Sequence, residues 1–166
     1  MSPRLVLIGP MGAGKTTVAG LVAERWGTTV RDTDADIVAG DGRSISDIFL
    51  ESGEQDFRKL EREAVAAALA EHDGVVALGG GAVLDESTRM LLAGRCVVFL
   101  RVGLTDAVKR VGLGTSRPLL LGNVRGRIKT LLDERTPVYE SVAMLTVDTD
   151  GRSPEDVARE IEEALG

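Results

Sequence analysis

The chain has little that would point to a secreted, membrane or nucleic-acid-binding protein. Cys96 is its only cysteine, which excludes an internal disulfide and fits a reducing cytoplasm. No apolar run is long enough to span a bilayer, and the first residues lead into a strand without a signal peptide. The formal net charge of −6 argues against the basic surface that a nucleic-acid partner requires. We therefore expect a cytoplasmic protein that binds neither membranes nor nucleic acids.

Apolar runs and helical patterns alternate along the 166 residues, without a linker or an internal repeat. Strands are predicted at residues 5–8, 28–33, 75–78, 96–102 and 144–147, with helices between them and at the end of the chain. This alternation predicts an α/β fold in which helices cover both faces of a five-stranded parallel sheet. The length fits a single domain over residues 1–166, which we expect to be a monomer.

A strand, a glycine-rich loop and a helix follow one another within residues 4–17. Leu5 to Ile8 is an unbroken apolar run, as expected for a strand buried on both faces of a parallel sheet. The next residues fit the phosphate-binding pattern G-x-x-x-x-G-K-[ST]: Gly9, Gly14, Lys15 and Thr16. A glycine-rich turn without a ligand is the alternative, but the order strand, loop, helix favours phosphate binding.

The residue types in this loop suit a nucleotide and a magnesium ion. Glycines at 9, 12 and 14 leave room for backbone N–H groups to face a triphosphate, and the positive end of the helix dipole adds to them. Lys15 can reach the β- and γ-phosphates, and the Thr16 hydroxyl can ligate Mg²⁺. The loop alone does not distinguish a kinase from a switch GTPase or a motor.

Two carboxylates, Asp32 and Asp34, end the predicted second strand. On an extended chain residues i and i+2 point the same way, and the carboxyl ends of strands are where open α/β sheets bind ligands. One carboxylate could hold the waters around Mg²⁺, and the other could orient an acceptor hydroxyl or accept its proton. The alternative is a polar strand end, with Asp34 as the N-cap of a short helix over residues 35–38.

Two later features also allow a structural and a functional interpretation. Arg58 has Glu54 four residues before it and Glu61 three residues after it, and this spacing alone favours surface ion pairs on a helix. Gly79, Gly80 and Gly81 end the third strand, where either a ligand comes close to the backbone or the loop is flexible.

Residues 112–122 are irregular and have glycine at both ends, which is typical of a mobile flap that closes over a site. Arg117 within the flap could reach the oxygens of a transferred phosphate. Arginines are plentiful around the predicted site, at Arg58, Arg117 and Arg135, and a guanidinium can hold a carboxylate through two parallel hydrogen bonds. A guanine-specific N-K-x-D motif is missing from the sequence. These features favour a kinase whose acceptor is a small anion carrying a hydroxyl.

Further along, Pro137 is expected to kink or end a helix that begins near residue 124.

Over nearly its whole length the chain resembles shikimate kinase, and it is similar to the actinobacterial form. The resemblance is carried by residues 9–16, Asp32-Thr-Asp34, 42–49, 53–58 and 78–82, by Arg117-Pro-Leu-Leu and by Arg135-x-Pro-x-Tyr139. It implies ATP-dependent phosphorylation of the 3-hydroxyl of shikimate in chorismate synthesis. It also implies the three-layer P-loop kinase fold with strand order 2-3-1-4-5, a substrate-binding region near residues 34–62 and a mobile lid near residues 112–124.

The resemblance also assigns roles to residues. Asp34 is implied as the base that holds the reacting hydroxyl, with Lys15 and Arg117 as further catalytic residues. The implied ATP-binding residues are Gly12, Ala13, Gly14, Lys15, Thr16, Thr17, Arg110, Arg117, Arg152 and Pro154. The implied shikimate-binding residues are Asp34, Arg58, Gly79, Gly80, Gly81 and Arg135, with Glu61 holding Arg58 in place. Mg²⁺ is implied as the cofactor, ligated by Thr16 and supported through water by Asp32.

The lid departs from the pattern of the family. The turn over residues 121–127 is about one residue shorter than in the familiar form, and Gly114 and Ser116 also differ. Two other functions compete with the shikimate kinase assignment. One is a different small-molecule P-loop kinase for gluconate or a nucleotide, and the other is a nucleotide-dependent switch protein.

Overall fold

The structure of the chain is a computed structural model that describes residues 2–114 and 124–165, with side chains described for residues 2–110 and 125–165. The strands are β1 (Leu5–Ile8), β2 (Val30–Asp32), β3 (Val75–Ala77), β4 (Val97–Arg101) and β5 (Leu145–Asp148). The helices are α1 (Lys15–Trp26), α2 (Thr33–Asp41), α3 (Ile45–Glu71), α4 (Glu86–Leu92), α5 (Leu104–Gly114), α6 (Val124–Val142) and α7 (Pro154–Leu165). A short 3-10 turn, Ala82–Leu84, follows β3.

The five strands form one parallel sheet in the order β2-β3-β1-β4-β5, which confirms the order that the resemblance implies. β1 lies at the centre and pairs with β3 on one side and β4 on the other. Because β1 is in the middle, the phosphate loop that follows it emerges at the centre of the carboxyl edge. Ligands bind at this edge in open α/β sheets.

Side chains alternate across the sheet and build a core on each face. Leu5 and Leu7 of β1 pack with α1 and α7, whereas Val6 and Ile8 face the opposite way and pack with α3 and α6. All four residues of β1 are buried, as the apolar run predicts. The chain therefore has three layers, with helices on both faces of the sheet.

A third, smaller cluster is formed by Ile37, Ile48 and Phe57 at the junction of α2 and α3. Within α3, Gly53 has φ 87° and ψ 170°, a non-helical conformation that interrupts the helix. The Ser44 side chain accepts a hydrogen bond from Asp47 N and caps the first part of α3. These elements form a small lobe above the carboxyl edge, beside the phosphate loop.

Both expectations about the end of β2 are wrong. β2 ends at Asp32 and α2 begins at Thr33, so Asp34 lies in the first turn of a helix and not on an extended strand. The N-cap is Asp32 and not Asp34, because the Asp32 carboxylate accepts hydrogen bonds from the backbone N–H groups of Asp34 and Ala35. α6 continues to Val142 past Pro137, and the buried Tyr139 ring stacked on Phe99 anchors this last turn.

The glycine in the middle of α1 gives a first prediction. Gly20 is exposed, and a Cβ added there would meet no described atom within 4 Å outside the local helix. Gly20→Ala should raise the free energy of unfolding by about 0.5–1 kcal/mol, because alanine loses less backbone entropy in a helix. Chemical denaturation tests this. Gly27→Ala is the matched control: Gly27 caps the same helix at φ 67°, so its replacement should destabilise the protein.

Among the helices of residues 2–114 and 124–165, none is long and apolar enough to cross a membrane.

Candidate active site

The phosphate loop connects β1 to α1 and closes tightly on itself. A Cβ on Gly9 would lie 2.7 Å from the Leu100 carbonyl oxygen, so the loop can leave the sheet only with glycine at this position. Gly14 has φ 87° and precedes the first helical residue, Lys15. The N-terminus of α1, with its unpaired N–H groups and positive dipole end, therefore faces the carboxyl edge.

The Lys15 side chain folds across this loop. Its ammonium donates to the carbonyl oxygens of Gly9 at 2.7 Å and Pro10 at 3.1 Å. Burial lowers the pKa of Lys15 to about 8, although the nearby carboxylates of Asp34 and Asp32 act in the opposite direction. An anion at the loop would compete with the two carbonyls for this cation.

Asp32 connects the phosphate loop to α2. Its Oδ1 accepts from the backbone N–H groups of Asp34 at 2.9 Å and Ala35 at 3.1 Å. Its Oδ2 accepts from the Thr16 hydroxyl at 3.0 Å. These bonds fix the start of α2 relative to α1, and Asp34 lies in the same cavity as Lys15, close enough for their charges to interact.

The Asp34 carboxylate lies in an environment that favours its protonated form. Its Oδ1 is buried and has no hydrogen-bond partner among the residues that the structure describes. Burial, and then the negative charge of Asp32, raise the pKa of Asp34, while Lys15 and Arg58 oppose the shift. The group is thus more basic than an ordinary aspartate, which suits a side chain that accepts a proton.

Arg58 makes both ion pairs that the spacing predicts, but it lines the cleft and its side chain is only 22% exposed, so the pairs are not a surface feature alone. Its Nη1 donates to Glu61 Oε1 at 2.7 Å, and the Glu61 side chain is only 4% exposed. Glu54 is 3.6 Å from Arg58 Nε and well exposed. Burial raises the pKa of Glu61, with Arg58 opposing this shift. The ion pair with Glu61 holds the Arg58 guanidinium at the wall of the cleft.

These groups share one cavity of about 450 Å³ at the carboxyl edge. The polar and glycine lining comprises Gly12, Gly14, Lys15, Thr16, Thr17, Asp32, Asp34, Arg58, Glu61, Gly79, Gly80, Gly81 and Arg135. The apolar lining comprises Met11, Ile45, Phe49, Phe57 and Leu78. The structure therefore brings the acid predicted as the base, the phosphate loop and two arginines to a single cleft.

The apolar wall was not predicted as part of a site. Phe49 and Phe57 lie with ring centroids 4.7 Å apart, and Phe49 is 37% exposed. The sequence assigned Phe57 to the buried stripe of a helix. The sequence offers one signal for this wall, which is the small number of phenylalanines. The chain has only three, and two of them fall within the predicted substrate-binding region.

A second cavity of about 220 Å³ lies on the other side of the phosphate loop, at residues 12–17. Its lining includes the predicted residues Arg110, Arg152 and Pro154, together with Ala13. It also includes Thr149 and Val157, which no sequence motif pointed to. Gly12, Gly14 and Thr17 line both cavities, so a ligand could extend from one to the other along the loop.

Arg110 joins the wall of the second cavity to the loop. It donates to the Gly12 carbonyl at 3.0 Å, and to the hydroxyl and carbonyl oxygens of the buried Thr149 at 3.0 and 2.9 Å. Arg152 is held by the Asp148 carbonyl at 2.9 Å and by Glu160 at 2.7 Å. Both arginines are thus already oriented by the protein.

The oxygen ligands at the mouth of the loop fit Mg²⁺. The Thr16 hydroxyl, the Asp32 carboxylate and the unpaired Asp34 oxygen are hard donors within one cleft. No group of three or more His, Cys, Asp or Glu side chains suited to a metal occurs in the described part of the chain. Mg²⁺ commonly keeps waters and phosphate oxygens and takes few protein ligands, so this sparse set is adequate. Arg117 and most of the predicted lid lie outside the described residues.

The raised pKa of Asp34 gives a prediction for stability. The folded state holds the Asp34 proton more tightly than the unfolded state does, so it loses stability as pH rises through the raised pKa. Asp34→Asn should therefore be more stable than the wild type near neutral pH, because the buried carboxylate no longer has to ionise in the folded state. Denaturation at several pH values should show this gain shrinking toward acidic pH. A gain that stays constant with pH would contradict it.

Together the fold and the cleft define the class of this protein, a P-loop kinase that acts on a small acceptor. The chain belongs to the shikimate kinase family, whose model (SKI: Shikimate kinase) matches residues 11–166.

Comparison with known proteins supports this assignment over nearly the full length. The chain is 59% identical over 163 residues to a shikimate kinase of Thermobifida fusca, covering 98% of this chain and 95% of that protein. A shikimate kinase of Streptomyces avermitilis is 56% identical over 163 residues, with 98% and 95% covered. Among solved structures, the shikimate kinase of Acinetobacter baumannii in complex with shikimate has a TM-score of 0.91 at 33% identity, with 99% of this chain and 93% of that chain covered.

Proposed function

We propose that this protein transfers the terminal phosphoryl group of ATP to the 3-hydroxyl of shikimate, giving shikimate 3-phosphate and ADP for chorismate and aromatic amino acid synthesis. One observation carries the proposal: Asp34, Arg58, Arg135 and the phosphate loop line the same cavity. Family membership and the shikimate complex of the Acinetobacter relative support the choice of acceptor.

The acceptor side of the cleft suits a hydroxylated ring acid. Arg58 and Arg135 are proposed to hold the carboxylate through paired hydrogen bonds. Phe49 and Phe57 present an apolar face to the ring, and Gly80 allows it to approach the backbone. Asp34 then receives the 3-hydroxyl on the side that faces the phosphate loop. The acceptor region over residues 34–62 thus acts as one lobe of a single domain spanning residues 1–166.

The nucleotide is proposed to occupy the second cavity and the loop. The backbone N–H groups of residues 12–17 would bind the phosphates at the N-terminus of α1. Arg110, Arg152 and Pro154 would flank the adenine. Arg117, in the predicted lid at residues 112–124, would complete the contacts to the phosphates and is proposed from the sequence alone.

Transfer is proposed to proceed in line, with the attacking hydroxyl and the leaving oxygen on opposite sides of phosphorus. Asp34 orients the hydroxyl and accepts its proton, a role for which its raised pKa is suited. The Lys15 ammonium moves from the carbonyls of Gly9 and Pro10 to the phosphate oxygens and stabilises their charge. Mg²⁺, held by Thr16 and through water by Asp32, would supply further charge neutralisation when it is bound.

Further properties are proposed with this function. Mg²⁺ is the cofactor, and ATP and shikimate are the two substrates. The protein acts as a monomer in the cytoplasm, without a nucleic acid or a membrane as partner. The single cysteine and the acidic composition support the proposed compartment and partners.

Acceptor-dependent release of ADP tests the proposal. Purified protein with ATP and Mg²⁺ should form ADP rapidly only when shikimate is present, and not with gluconate or a nucleoside monophosphate. Rapid turnover with one of those acceptors instead would favour a different small-molecule kinase. Slow ADP formation that no acceptor changes would favour a nucleotide-dependent switch. Either result would overturn the proposed function.

Removing either carboxylate-binding arginine should weaken acceptor binding selectively. Arg58→Ala and Arg135→Ala should each raise KM for shikimate by about 10- to 100-fold, the range for loss of a charged hydrogen bond, and leave KM for ATP nearly unchanged. Steady-state kinetics with each substrate varied in turn measure this. Arg62→Ala is a matched control, because Arg62 pairs with Asp85 at 3.1 Å and does not line the cleft. An equal rise in KM for ATP would contradict the assignment.

A further inference from the structure

The three glycines after β3 have different surroundings. A Cβ added to Gly79 would lie 2.6 Å from Asp34 Oδ1, and one added to Gly81 would lie 2.7 Å from both terminal nitrogens of Arg58. A Cβ on Gly80 would have its nearest contact at 3.5 Å, from Met11 N, which is an ordinary van der Waals distance. Gly79 and Gly81 are buried, whereas Gly80 is partly exposed to the cleft.

The backbone conformation does not explain why glycine is present. None of the three residues has φ in the left-handed region, and Gly81 has φ −101° and ψ 1°. Residues with a side chain adopt these conformations without much strain. What distinguishes glycine at positions 79 and 81 is therefore space, and the groups that use the space are two charged side chains of the protein itself.

The glycine backbone is fixed in place from several sides. Gly79 N donates to the Thr33 hydroxyl at 3.3 Å, and the buried Tyr139 hydroxyl donates to the Gly80 carbonyl at 2.5 Å. The carbonyls of Gly79 and Gly81 accept from the N–H groups of the following 3-10 turn at 3.2 and 3.1 Å. An added methyl group would therefore displace the facing side chain more readily than the backbone.

The two side chains are also held from the other direction. Asp34 is fixed in the first turn of α2 by the capping carboxylate of Asp32. The Arg58 guanidinium is bound by the buried Glu61. Each charged group is thus confined between its own helix and the Cα atom of one glycine, and the glycine sets how deeply the group lies in the wall of the cleft.

We propose that Gly79 and Gly81 are positioning residues, whose bare Cα atoms leave the space in which the Asp34 carboxylate and the Arg58 guanidinium lie. The catalytic part of this inference rests on the proposed function of Asp34 and Arg58. The steric part is independent of the function.

The two alanine variants should therefore fail in different ways. Gly79→Ala should lower kcat by about 100-fold with little change in KM for shikimate, because an error of about 1 Å in the placement of a catalytic group has that effect. Gly81→Ala should raise KM for shikimate by about 10-fold or more and change kcat less. General unfolding would instead lower the apparent kcat of both variants, by reducing the active fraction, and would leave KM for shikimate unchanged in both, so the denaturation midpoint of each variant is measured beside its kinetics.

Double-mutant cycles distinguish two roles for Gly79 and Gly81: positioning a charged side chain, and contacting the substrate directly. In an Arg58→Ala background, Gly81→Ala should cause no further loss of kcat/KM, because the group that the methyl displaces has been removed. In an Asp34→Ala background, Gly79→Ala should lower the denaturation midpoint less than it does in the wild type. Gly80→Ala is the control for stability, and its midpoint should match that of the wild type in all backgrounds.

Each alternative outcome is decisive. Equal losses of kcat/KM for Gly81→Ala with and without Arg58, or equal midpoint shifts for Gly79→Ala with and without Asp34, would overturn the inference. Gly79→Ala could be unable to fold because the methyl group clashes with Asp34. In that case the Asp34→Ala/Gly79→Ala variant should fold, and its failure to fold would overturn the proposed role of Gly79. If the wild type shows no shikimate-dependent ADP release, the proposed function fails, and the denaturation cycle of Gly79 and Asp34 still tests the steric part of the inference.

Discussion

Asp34→Asn should nearly abolish turnover while leaving nucleotide binding intact. Asparagine keeps the size of the side chain but can neither accept the proton of the hydroxyl nor orient it with a full negative charge. We expect kcat to fall by about 100- to 10,000-fold, the range for loss of a general base, with KM for ATP nearly unchanged. The nucleotide is proposed to bind through the backbone N–H groups of residues 12–17, and the Asp34 carboxylate is not among those contacts. Steady-state kinetics with a coupled ADP assay measure both constants.

Asp36→Asn is the matched control for this variant. Asp36 lies in the same first turn of α2, but its carboxylate pairs with Arg31 at 2.6 Å on the surface and does not line the cleft. Loss of a surface ion pair of this kind costs at most about 1 kcal/mol of stability. Its kcat should therefore match that of the wild type. Near-wild-type turnover of Asp34→Asn would refute the role of Asp34 as the base.

Lys15→Ala should impair both nucleotide binding and the rate of transfer. The ammonium is proposed to bind the β- and γ-phosphates in the ground state and to stabilise the charge of the transferring group. Loss of one such donor lowers kcat by about 100- to 1,000-fold, and KM for ATP should rise as well. The control is Lys129→Ala, because Lys129 is exposed on α6 and pairs with Asp133 at 2.6 Å. Unchanged constants for Lys15→Ala would contradict the assignment of the phosphate loop.

The lowered pKa of Lys15 adds a pH dependence to this prediction. Burial brings the pKa to about 8, so the cationic form is lost as pH rises past that value. KM for ATP of the wild type should therefore increase on the alkaline side of this pKa. In Lys15→Ala this dependence should disappear, because the titrating group is gone. A rise of the same size in both proteins would assign the titration to another group.

The three central strands could be predicted well from the sequence, because β1, β3 and β4 are apolar runs in a parallel sheet buried on both faces. The end of β2 could not. The β-branched residues from Thr28 to Thr33 favour an extended chain, but the Asp32 carboxylate caps a helix that begins one residue later. A local hydrogen bond therefore outweighs strand propensity at this point. The two aspartates were expected to share one side of an extended strand, but both line the cleft because Asp32 caps the helix whose first turn contains Asp34.

Arg58 shows the limit of spacing arguments. Its neighbours Glu54 and Glu61 are both at ion-pairing distances along a helix, and the sequence gives no reason to treat them differently. The structure separates them, because Glu61 faces the core with 4% of its side chain exposed while Glu54 faces solvent with 69% exposed. Which side of a helix is buried depends on its tertiary contacts, and the resemblance to a family supplied what spacing could not.

The glycines after β3 were predicted to allow a close approach to the backbone, and the structure identifies what approaches. At Gly79 and Gly81 it is the carboxylate of Asp34 and the guanidinium of Arg58, which come from α2 and α3. Pairs so distant in sequence cannot be recognised from a run of three glycines. The same holds for Tyr139, whose hydroxyl reaches the Gly80 carbonyl from α6.

A crystal structure of this protein with shikimate, ADP and Mg²⁺ tests the central claim most directly. The account predicts that the carboxylate of shikimate lies between the guanidinium groups of Arg58 and Arg135. It also predicts that the 3-hydroxyl lies within hydrogen-bonding distance of Asp34 and faces the phosphate loop. Shikimate bound elsewhere, or Asp34, Arg58 and Arg135 turned away from a common ligand, would contradict it.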